Sequence, residues 1–174
     1  MKLSPRYGSH LPVLLQALAK TDGPVLELGM GAYSTPLLSA VCNLERRQLW
    51  SFDNDRAVAE WATKYASEWH TIRHVNNWEA AFMVDRLPWD VVLVDHSPSE
   101  RRVVEIARLA RLAKYIIIHD SNGRYKEYNY PSIYTLFQHK RDYTALEPST
   151  TILSNLVSLH DFWDHSWQTR SITF

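Results

Sequence analysis

Pro24 to Ser39, which reads PVLELGMGAYSTPLLS, is the stretch that decides the fold of this chain. A short apolar run, Val25 to Leu28, ends at Gly29 and Gly31, and an apolar helical pattern follows directly. This order predicts a strand, a tight turn and a helix, which together bring the backbone and the helix N-terminus against a nucleotide-like ligand. The turn is therefore the first candidate for a binding site.

Two residues of this stretch argue against a dinucleotide as the ligand. Glu27 lies at the strand end, where a carboxylate suits a cationic or hydroxyl-bearing ligand but would repel a pyrophosphate. Ser34 stands where the G-x-G-x-x-G fingerprint requires its third glycine. A dinucleotide site is therefore disfavoured.

Outward from this turn, strand patterns alternate with helical patterns, which predicts a doubly wound α/β domain. Val91 to Val94 is apolar throughout, as expected for a strand that helices cover on both faces. The other predicted strands are Val25 to Leu28, Leu49 to Phe52, Thr71 to Val75, Tyr115 to Ile118, Asp142 to Glu147 and Thr150 to Ser154. The predicted helices are Leu11 to Lys20, Thr35 to Val41, Arg56 to Trp69, Trp78 to Arg86, Arg101 to Ala113 and Ser132 to His139.

The segment ELGMG, from Glu27 to Gly31, resembles the E-x-G-x-G motif of class I S-adenosylmethionine-dependent methyltransferases. LWSFD places an acidic residue, Asp53, at the end of the second strand, and WDVVLVDH and KYIIIHDSN repeat the pattern of a strand with a polar end. The resemblance covers roughly Pro24 to Ser154. It implies a mostly parallel, seven-stranded sheet of the Rossmann-like methyltransferase type with an antiparallel closing hairpin. It also implies S-adenosylmethionine as cofactor and methyl transfer as reaction.

A cofactor site follows from the resemblance, at the carboxyl edge where open α/β sheets bind ligands. The glycine loop is expected at the methionyl part of the cofactor, and Asp53 at the ribose hydroxyls. Helix capping is the alternative role of Asp53, although Asp55 can supply that cap, and Trp78 either covers the adenine or packs in the core. The predicted cofactor-binding residues are Glu27, Gly29, Gly31, Ser34, Asp53, Asn54, Asn77, Trp78 and Asp95.

Reaction chemistry is predicted at two strand ends, which carry the candidate catalytic residues Asp95, His96, His119 and Asp120. Methyl transfer often needs a base for the proton of the acceptor, and histidine titrates near neutral pH, so His96 or His119 is a candidate for that base. In the alternative interpretation, Asp95 and His96 only line the cofactor pocket and His119 is a neutral, hydrogen-bonded residue.

Magnesium is the other use that these strand ends suggest. The catechol-type O-methyltransferases bind magnesium with an Asp at one strand end and an Asp-Asn pair at the next, and Asp95 and Asp120 match two of these ligands. Ser121 replaces the asparagine, and Asn122 comes one position late. We therefore expect binding and catalysis to need no metal.

Acceptor specificity is predicted in the loop from Asn122 to Pro131. A small aromatic or polar acceptor suits its side chains Arg124, Tyr125, Tyr128 and Tyr130. Arg6 to His10 either folds over the carboxylate of the cofactor or forms a leader in which Ser9 caps the next helix. A small molecule is the expected acceptor, and the alternatives are an open pocket for a macromolecule and a homodimer whose second subunit closes the pocket.

Length and composition fit one domain over residues 1–174. Nineteen basic and nineteen acidic residues give a net charge of zero, which disfavours nucleic acid and anionic membranes as partners. No run approaches the roughly 20 apolar residues that span a bilayer. The single cysteine, Cys42, fits a reducing compartment, so a cytoplasmic enzyme is expected. The alternative is a cofactor-binding or protein-interaction module of the same fold without turnover.

Overall fold

The computed structural model describes residues 4–123 and 126–164, apart from the side chains of residues 82 and 83. Seven strands of these residues form one sheet in the order β3-β2-β1-β4-β5-β7-β6. The strands are β1 Val25–Leu28, β2 Leu49–Asp53, β3 His70–His74, β4 Trp89–Val94, β5 Ala113–Ile118, β6 His139–Tyr143 and β7 Thr150–Ser154.

The first five strands are parallel, and the last two form an antiparallel hairpin. β1 pairs with β2 on one side and with β4 on the other, so the direction of winding reverses between β1 and β4. β7 runs antiparallel to both β5 and β6. The predicted doubly wound, mostly parallel sheet with its closing hairpin is confirmed. In such sheets, ligands bind outside the carboxyl ends of the strands at the reversal.

Helices cover both faces of the sheet. They are α1 Leu11–Ala19, α2 Ser34–Glu45, α3 Arg56–Ala62, α4 Arg102–Leu109 and α5 Pro131–Tyr134. Alternate residues of β4 face opposite layers: Val91 and Leu93 belong to the apolar cluster that includes α1, whereas Val92 and Val94 belong to the cluster that includes α4. Burial on both faces explains why this strand is apolar throughout. Within the described ranges, the structure contains no helix of the length and apolarity that a membrane crossing requires.

The helix predicted from Arg56 to Trp69 is wrong in its second half. α3 ends at Ala62, and a 3₁₀ turn follows at Thr63–Tyr65. The hydroxyl of Ser67 then accepts the N–H groups of Trp69 and His70, both at 3.1 Å. These bonds compete with helical ones and turn the chain into β3.

The helix predicted from Trp78 to Arg86 is replaced by two 3₁₀ turns, Trp78–Ala80 and Phe82–Asp85. The Trp78 indole donates to the carbonyl of Ser97 at 2.8 Å, and the Trp89 indole donates to the carbonyl of Val84 at 2.9 Å. Both indoles are buried, so they fix this segment against the core in a path that a straight helix does not follow.

The helix predicted from Ser132 to His139 is only one turn long, because α5 ends at Tyr134 and His139 already begins β6. The side chain of Asn155 bonds to this connection twice: Oδ1 accepts the N–H of Gln138 at 2.7 Å, and Nδ2 donates to the carbonyl of Leu136 at 2.9 Å. The strand predicted to run to Glu147 ends earlier, at Tyr143.

Candidate functional site

The loop between β1 and α2 contains two glycines with different roles. Gly29 has a φ of +94°, and a Cβ atom there would lie 2.6 Å from the backbone of Asp95 and His96. Only glycine therefore allows this close approach. A Cβ atom on Gly31 would meet only Ser34 Oγ, at 3.5 Å, and Gly31 lines a cleft. Of the two predicted cofactor contacts, Gly29 serves the fold and Gly31 is open to a ligand.

Glu27 lies beneath this loop, with its side chain fully buried. Thr35 Oγ1 lies 3.0 and 3.1 Å from the two carboxylate oxygens and donates to them, and it accepts the N–H of Gly31 at 2.9 Å. Burial raises the pKa of Glu27 to about 7, although hydrogen bonds from Ser34, Ser51 and Thr35 act in the opposite direction. Glu27 therefore supports the loop from below and does not line a cleft, unlike the cofactor contact predicted for it.

A cleft of about 590 Å³ opens at the carboxyl end of β2, and we name it the Asp53 cleft. Asp53 Oδ2 accepts the N–H of Met30 at 2.8 Å, and Oδ1 accepts the N–H of Asp55 at 2.7 Å. The two bonds fix the carboxylate, and each oxygen keeps a lone pair for a ligand. Burial raises the pKa of Asp53, although these two bonds act against it. Asn54 and His96 line the same cleft.

Asp55 caps α3, so the alternative role of Asp53 is already filled. Its Oδ1 accepts the N–H of Ala57 at 2.8 Å and that of Val58 at 3.4 Å. The cap satisfies two N–H groups that the first helical turn leaves free. Asp53 therefore has no capping duty and faces the cleft.

Asn77 and Trp78 are not among the residues that line the Asp53 cleft. Asn77 Oδ1 accepts the N–H of Ala80 at 2.9 Å and caps a 3₁₀ turn. Trp78 is buried, and its ring centroid lies 4.0 Å from that of His96. The core alternative therefore describes the position of Trp78, and the adenine contacts expected of both residues stay a prediction.

A larger cleft, of about 920 Å³, opens at the carboxyl ends of β1, β4 and β5, and we name it the His119 cleft. Ser34 and Asp120 belong to its walls, together with the N-terminal segment, whose 3₁₀ turn Pro5–Gly8 precedes α1. Met30 and Asp95 line both clefts. The two clefts therefore meet at the end of β4.

A chain of hydrogen bonds joins the ends of β4 and β5 to the N-terminal segment. His119 Nδ1 lies 3.0 Å from Asp95 Oδ2, and His119 Nε2 lies 3.0 Å from Ser9 Oγ. Ser9 donates its only proton to the carbonyl of Pro148 at 2.6 Å, so it must accept from the Nε2–H of His119. Burial lowers the pKa of His119, but the hydrogen bond and charge of Asp95 outweigh burial and raise it overall. Both ring nitrogens of His119 are therefore hydrogen-bonded. Ser9 does not cap the next helix, as it would if Arg6 to His10 were a leader.

Arg102, at the start of α4, is a site residue that the sequence-based set lacks. Its Nη2 lies 3.0 Å from Asp95 Oδ1, and its Nε donates to the carbonyl of His96 at 2.6 Å. Burial alone would raise the pKa of Asp95, but the hydrogen bond from His119 and the charges of His119 and Arg102 lower it. Asp95 is thus held as a carboxylate between two cationic partners.

The role of Arg102 could have been found from its position on the apolar face of the predicted helix. Arg102, Glu105, Ile106 and Leu109 follow the i, i+3, i+4, i+7 spacing of one helix face, and all four are buried. An arginine on an apolar face is rarely buried without a partner. The same reasoning identifies Glu105, whose Oε2 lies 3.5 Å from His96 Nε2.

Asp120 has only long polar contacts to its neighbours. Its side chain is 20% exposed and lies in the His119 cleft. Its polar contacts are long, at 3.5 Å from the Tyr128 hydroxyl and 3.8 Å from Arg102 Nη1. Its φ of +57° falls in the left-handed region, which aspartate tolerates better than most residues. Burial raises the pKa of Asp120.

The loop predicted to bind the acceptor contributes mainly support. Tyr130 is buried, and its hydroxyl donates to the carbonyl of His119 at 3.3 Å. The ring of Tyr128 lies 4.9 Å from the guanidinium carbon of Arg102. Arg124 and Tyr125 lie outside the described residues.

The ligand set of the catechol-type magnesium site is not assembled. Asn122 Nδ2 donates to Glu147 Oε2 at 2.7 Å, and Asn122 is not among the residues that line the clefts. Asp95 and Asp120 do share the His119 cleft, with the guanidinium of Arg102 close to both carboxylates.

No protein-family model matches the chain, and no curated protein matches it in sequence. Solved structures are similar to it in fold. MtNAS, a nicotianamine synthase, matches as a mutant with a TM-score of 0.51 and 17% identity over 86% of this chain and 59% of that chain. Its complex with MTA and tNA matches with a TM-score of 0.50 and 16% identity. TrmK of M. capricolum, in complex with S-adenosylhomocysteine, matches with a TM-score of 0.53 and 10% identity over 86% of this chain and 73% of that chain.

The chain therefore spans about three fifths of the length of MtNAS. The ligands of these neighbours, S-adenosylhomocysteine and MTA, are related to S-adenosylmethionine. At such low identities the similarity shows the fold alone. Together with the strand order described above, it shows that this chain has the Rossmann-like fold of the class I S-adenosylmethionine-dependent methyltransferases.

Proposed function

We propose that this chain binds S-adenosylmethionine and transfers its methyl group to a small molecule. One observation carries the proposal: the Asp53 cleft and the His119 cleft meet at Met30 and Asp95. A fixed carboxylate lies in one cleft, and a network of titratable side chains lies in the other. This arrangement suits the nucleoside half of a cofactor in the first cleft, and its methionyl half together with an acceptor in the second, with the reacting atoms near the place where the clefts meet.

The Asp53 cleft fits the nucleoside half of the cofactor. Each carboxylate oxygen of Asp53 already accepts one backbone N–H and retains a lone pair, which suits two neighbouring hydroxyl donors such as those of a ribose. Gly31 and Ser34 of the adjoining cleft are left for the methionyl half. When bound, S-adenosylmethionine supplies an electrophilic methyl group on a sulfonium.

Asp120 is the proposed general base, which removes the proton from the molecule that is methylated. Its carboxylate faces the cleft with only long contacts, and burial raises its pKa toward the range useful for a base. Asp95 and His119 are fully engaged with each other and with Arg102 and Ser9, so they hold the site in shape. His96 packs on Trp78 and forms a wall.

A small acceptor fits the size of the His119 cleft. Its volume of about 920 Å³ lies within the range of small-molecule pockets, roughly 300–1,000 Å³. Tyr7 and Tyr33 add aromatic surface to its walls. TrmK, one of the structural neighbours, is a tRNA methyltransferase, so an RNA acceptor is the competing possibility that an assay has to include.

Calorimetry with S-adenosylmethionine, S-adenosylhomocysteine and NAD tests the cofactor. The wild type is expected to bind the first two and not NAD. Asp53→Ala should weaken binding by about 1–3 kcal/mol, because charge-assisted hydrogen bonds are lost. Glu60→Ala, which removes an exposed carboxylate of α3, is the matched control and should leave affinity unchanged. Preference for NAD, or equal affinity in the Asp53 variant, would contradict the proposal.

Product analysis tests the reaction. Incubation with pooled metabolites, and separately with RNA, should release S-adenosylhomocysteine in the metabolite pool. Release of MTA would instead indicate transfer of the other carbon chain of the cofactor, since MTA still contains the methyl group. Binding without any release, in the presence of a stable protein partner, would favour the non-catalytic module. We also propose one domain over residues 1–174 and a cytoplasmic location, the latter supported by the buried, free thiol of Cys42.

A further inference from the structure

His10 is a buried polar side chain without a partner. It is 1% exposed, and neither ring nitrogen has a hydrogen-bond partner among the described residues. Buried polar groups are nearly always hydrogen-bonded, because an unsatisfied one loses its bonds to water without replacement. The proposed function gives His10 no role, so its position needs another explanation.

The surroundings of His10 consist of groups that bind metal ions. Its ring meets the ring of His119 edge-on, with centroids 4.6 Å apart. One ligand-type atom each from His10, Asp95 and His119 lies within 4.8 Å of the other two. The three residues come from the N-terminal segment and from the ends of β4 and β5, and all of them line the His119 cleft.

Ser9 and Arg102 hold His119 and Asp95 in the orientation that a metal ligand needs. Ser9 accepts the Nε2–H of His119, which leaves Nδ1 as the nitrogen that points toward Asp95. Arg102 Nη2 lies 3.0 Å from the other oxygen of Asp95, Oδ1. Metal-binding histidines commonly donate their second N–H in this way, and metal-binding carboxylates are themselves hydrogen-bonded.

We propose that His10, Asp95 and His119 bind one divalent transition-metal ion at the base of the His119 cleft. The ion replaces the hydrogen bond between His119 Nδ1 and Asp95 Oδ2 and satisfies one nitrogen of His10. Two imidazoles and one carboxylate suit zinc, cobalt, nickel or ferrous iron, whereas magnesium prefers oxygen ligands. Ligands at about 2.0–2.2 Å from one tetrahedral ion lie about 3.4 Å apart, so the ring of His10 has to move closer to the other two groups, whose facing atoms are already 3.0 Å apart.

This site differs from the magnesium set considered in the sequence. That set uses Asp95, Asp120 and Asn122, and Asn122 is bonded to Glu147. Metal binding by the histidine site does not depend on methyl transfer. A protein that binds no metal would therefore leave the proposed methyl transfer standing, and a protein without methyl transfer would leave the proposed metal site standing.

Metal titration of chelator-treated full-length protein tests the proposal. Cobalt(II) is followed by its visible ligand-field absorption and zinc(II) by calorimetry, with magnesium(II) as a third ion. The wild type should bind one cobalt or zinc ion per chain and should not bind magnesium at the same concentrations. His10→Phe keeps an aromatic ring but removes a ligand, and it should weaken cobalt binding by at least about tenfold. His160→Phe, which alters a histidine whose side chain is 88% exposed, is the matched control and should bind as the wild type does.

X-ray absorption of zinc-loaded wild type provides a measurement that does not depend on the folding of any variant. Two imidazole nitrogens and one carboxylate oxygen in the first shell would support the proposal. Three outcomes would overturn it: no transition-metal binding by the wild type, equal binding by a folded His10→Phe protein, or a zinc shell with fewer than two imidazoles. Tighter binding of magnesium than of zinc would also overturn it and would favour the aspartate set.

Discussion

The guanidinium of Arg102 and the carboxylate of Asp95 are 3.0 Å apart, measured from Nη2 to Oδ1, and connect the first turn of α4 to the end of β4. Arg102 is 4% exposed, whereas the side chain of Asp95 is 25% exposed. Loss of Arg102 would leave Asp95 with His119 as its remaining partner and the carbonyl of His96 without its donor. The geometry of both clefts at their meeting point therefore depends on a residue outside the motifs of the sequence.

Arg102→Met should destabilise the fold by about 1–3 kcal/mol, because the carboxylate of Asp95 and the carbonyl of His96 each lose a donor. Urea unfolding measures the change. Arg111→Met alters an exposed arginine and should stay within about 0.5 kcal/mol of the wild type. Equal losses in the two variants would contradict the role assigned to Arg102.

Gly29→Ala and Gly31→Ala should separate folding from ligand binding. Gly29→Ala places a Cβ atom 2.6 Å from the backbone of Asp95 at a positive φ, so a loss of stability of at least about 2 kcal/mol is expected. Gly31→Ala should fold normally, since its Cβ atom meets only Ser34 Oγ at 3.5 Å, and it should weaken cofactor binding. Thermal melting and calorimetry on both variants check this, and similar melting temperatures would show that the assignment of Gly29 is wrong.

Glu27 should make the wild type less stable as the pH rises. Its pKa is about 7 in the folded protein against an ordinary value of 4.5, so the folded state binds the proton more tightly. Stability linked to this group therefore falls between about pH 4.5 and pH 7 and is level above that range. Glu27→Gln removes the titration. Relative to the wild type, it should gain about 2 kcal/mol on going from pH 5 to pH 8 in urea unfolding. Glu60→Gln should show no such gain, and a Glu27 variant that behaves the same way would refute the prediction.

Ser9→Ala should loosen the N-terminal segment without unfolding the sheet. The substitution leaves the carbonyl of Pro148 without its donor and His119 Nε2 without its acceptor. Hydrogen exchange should accelerate over residues 4–10 and stay unchanged in β4. Ser158→Ala is the control at an exposed serine. Unchanged exchange over residues 4–10 would show that the Ser9 bonds do not hold the segment.

The sheet could be predicted because its signals are local. Val91 to Val94 is apolar on both faces, and only strands covered by two helical layers require that pattern. The position of Asp53 at the sheet edge was predictable because it ends the predicted strand Leu49 to Phe52. Asp55 supplies the helix cap, and the ribose contact of Asp53 stays a prediction.

Residues whose roles depend on distant partners could not be predicted in this way. Trp78 resembles a ligand-facing aromatic until its indole is seen to bond to Ser97. The early end of α3 depends on the Ser67 hydroxyl, which competes with helical hydrogen bonds. Glu27 follows the expected motif, yet Thr35 holds it below the loop.

The hydrogen bond from Ser9 to Pro148 spans 139 positions, so the two clefts form at different times during synthesis of the chain. β1 to β4 leave the ribosome well before Pro148, so the nucleoside side can form while the N-terminal segment still lacks its anchor. The acceptor side is then the last region to be completed on a nascent chain. Ribosome-bound chains that end before Pro148 should be cleaved by protease within residues 4–10, and chains that extend through β7 should resist cleavage there.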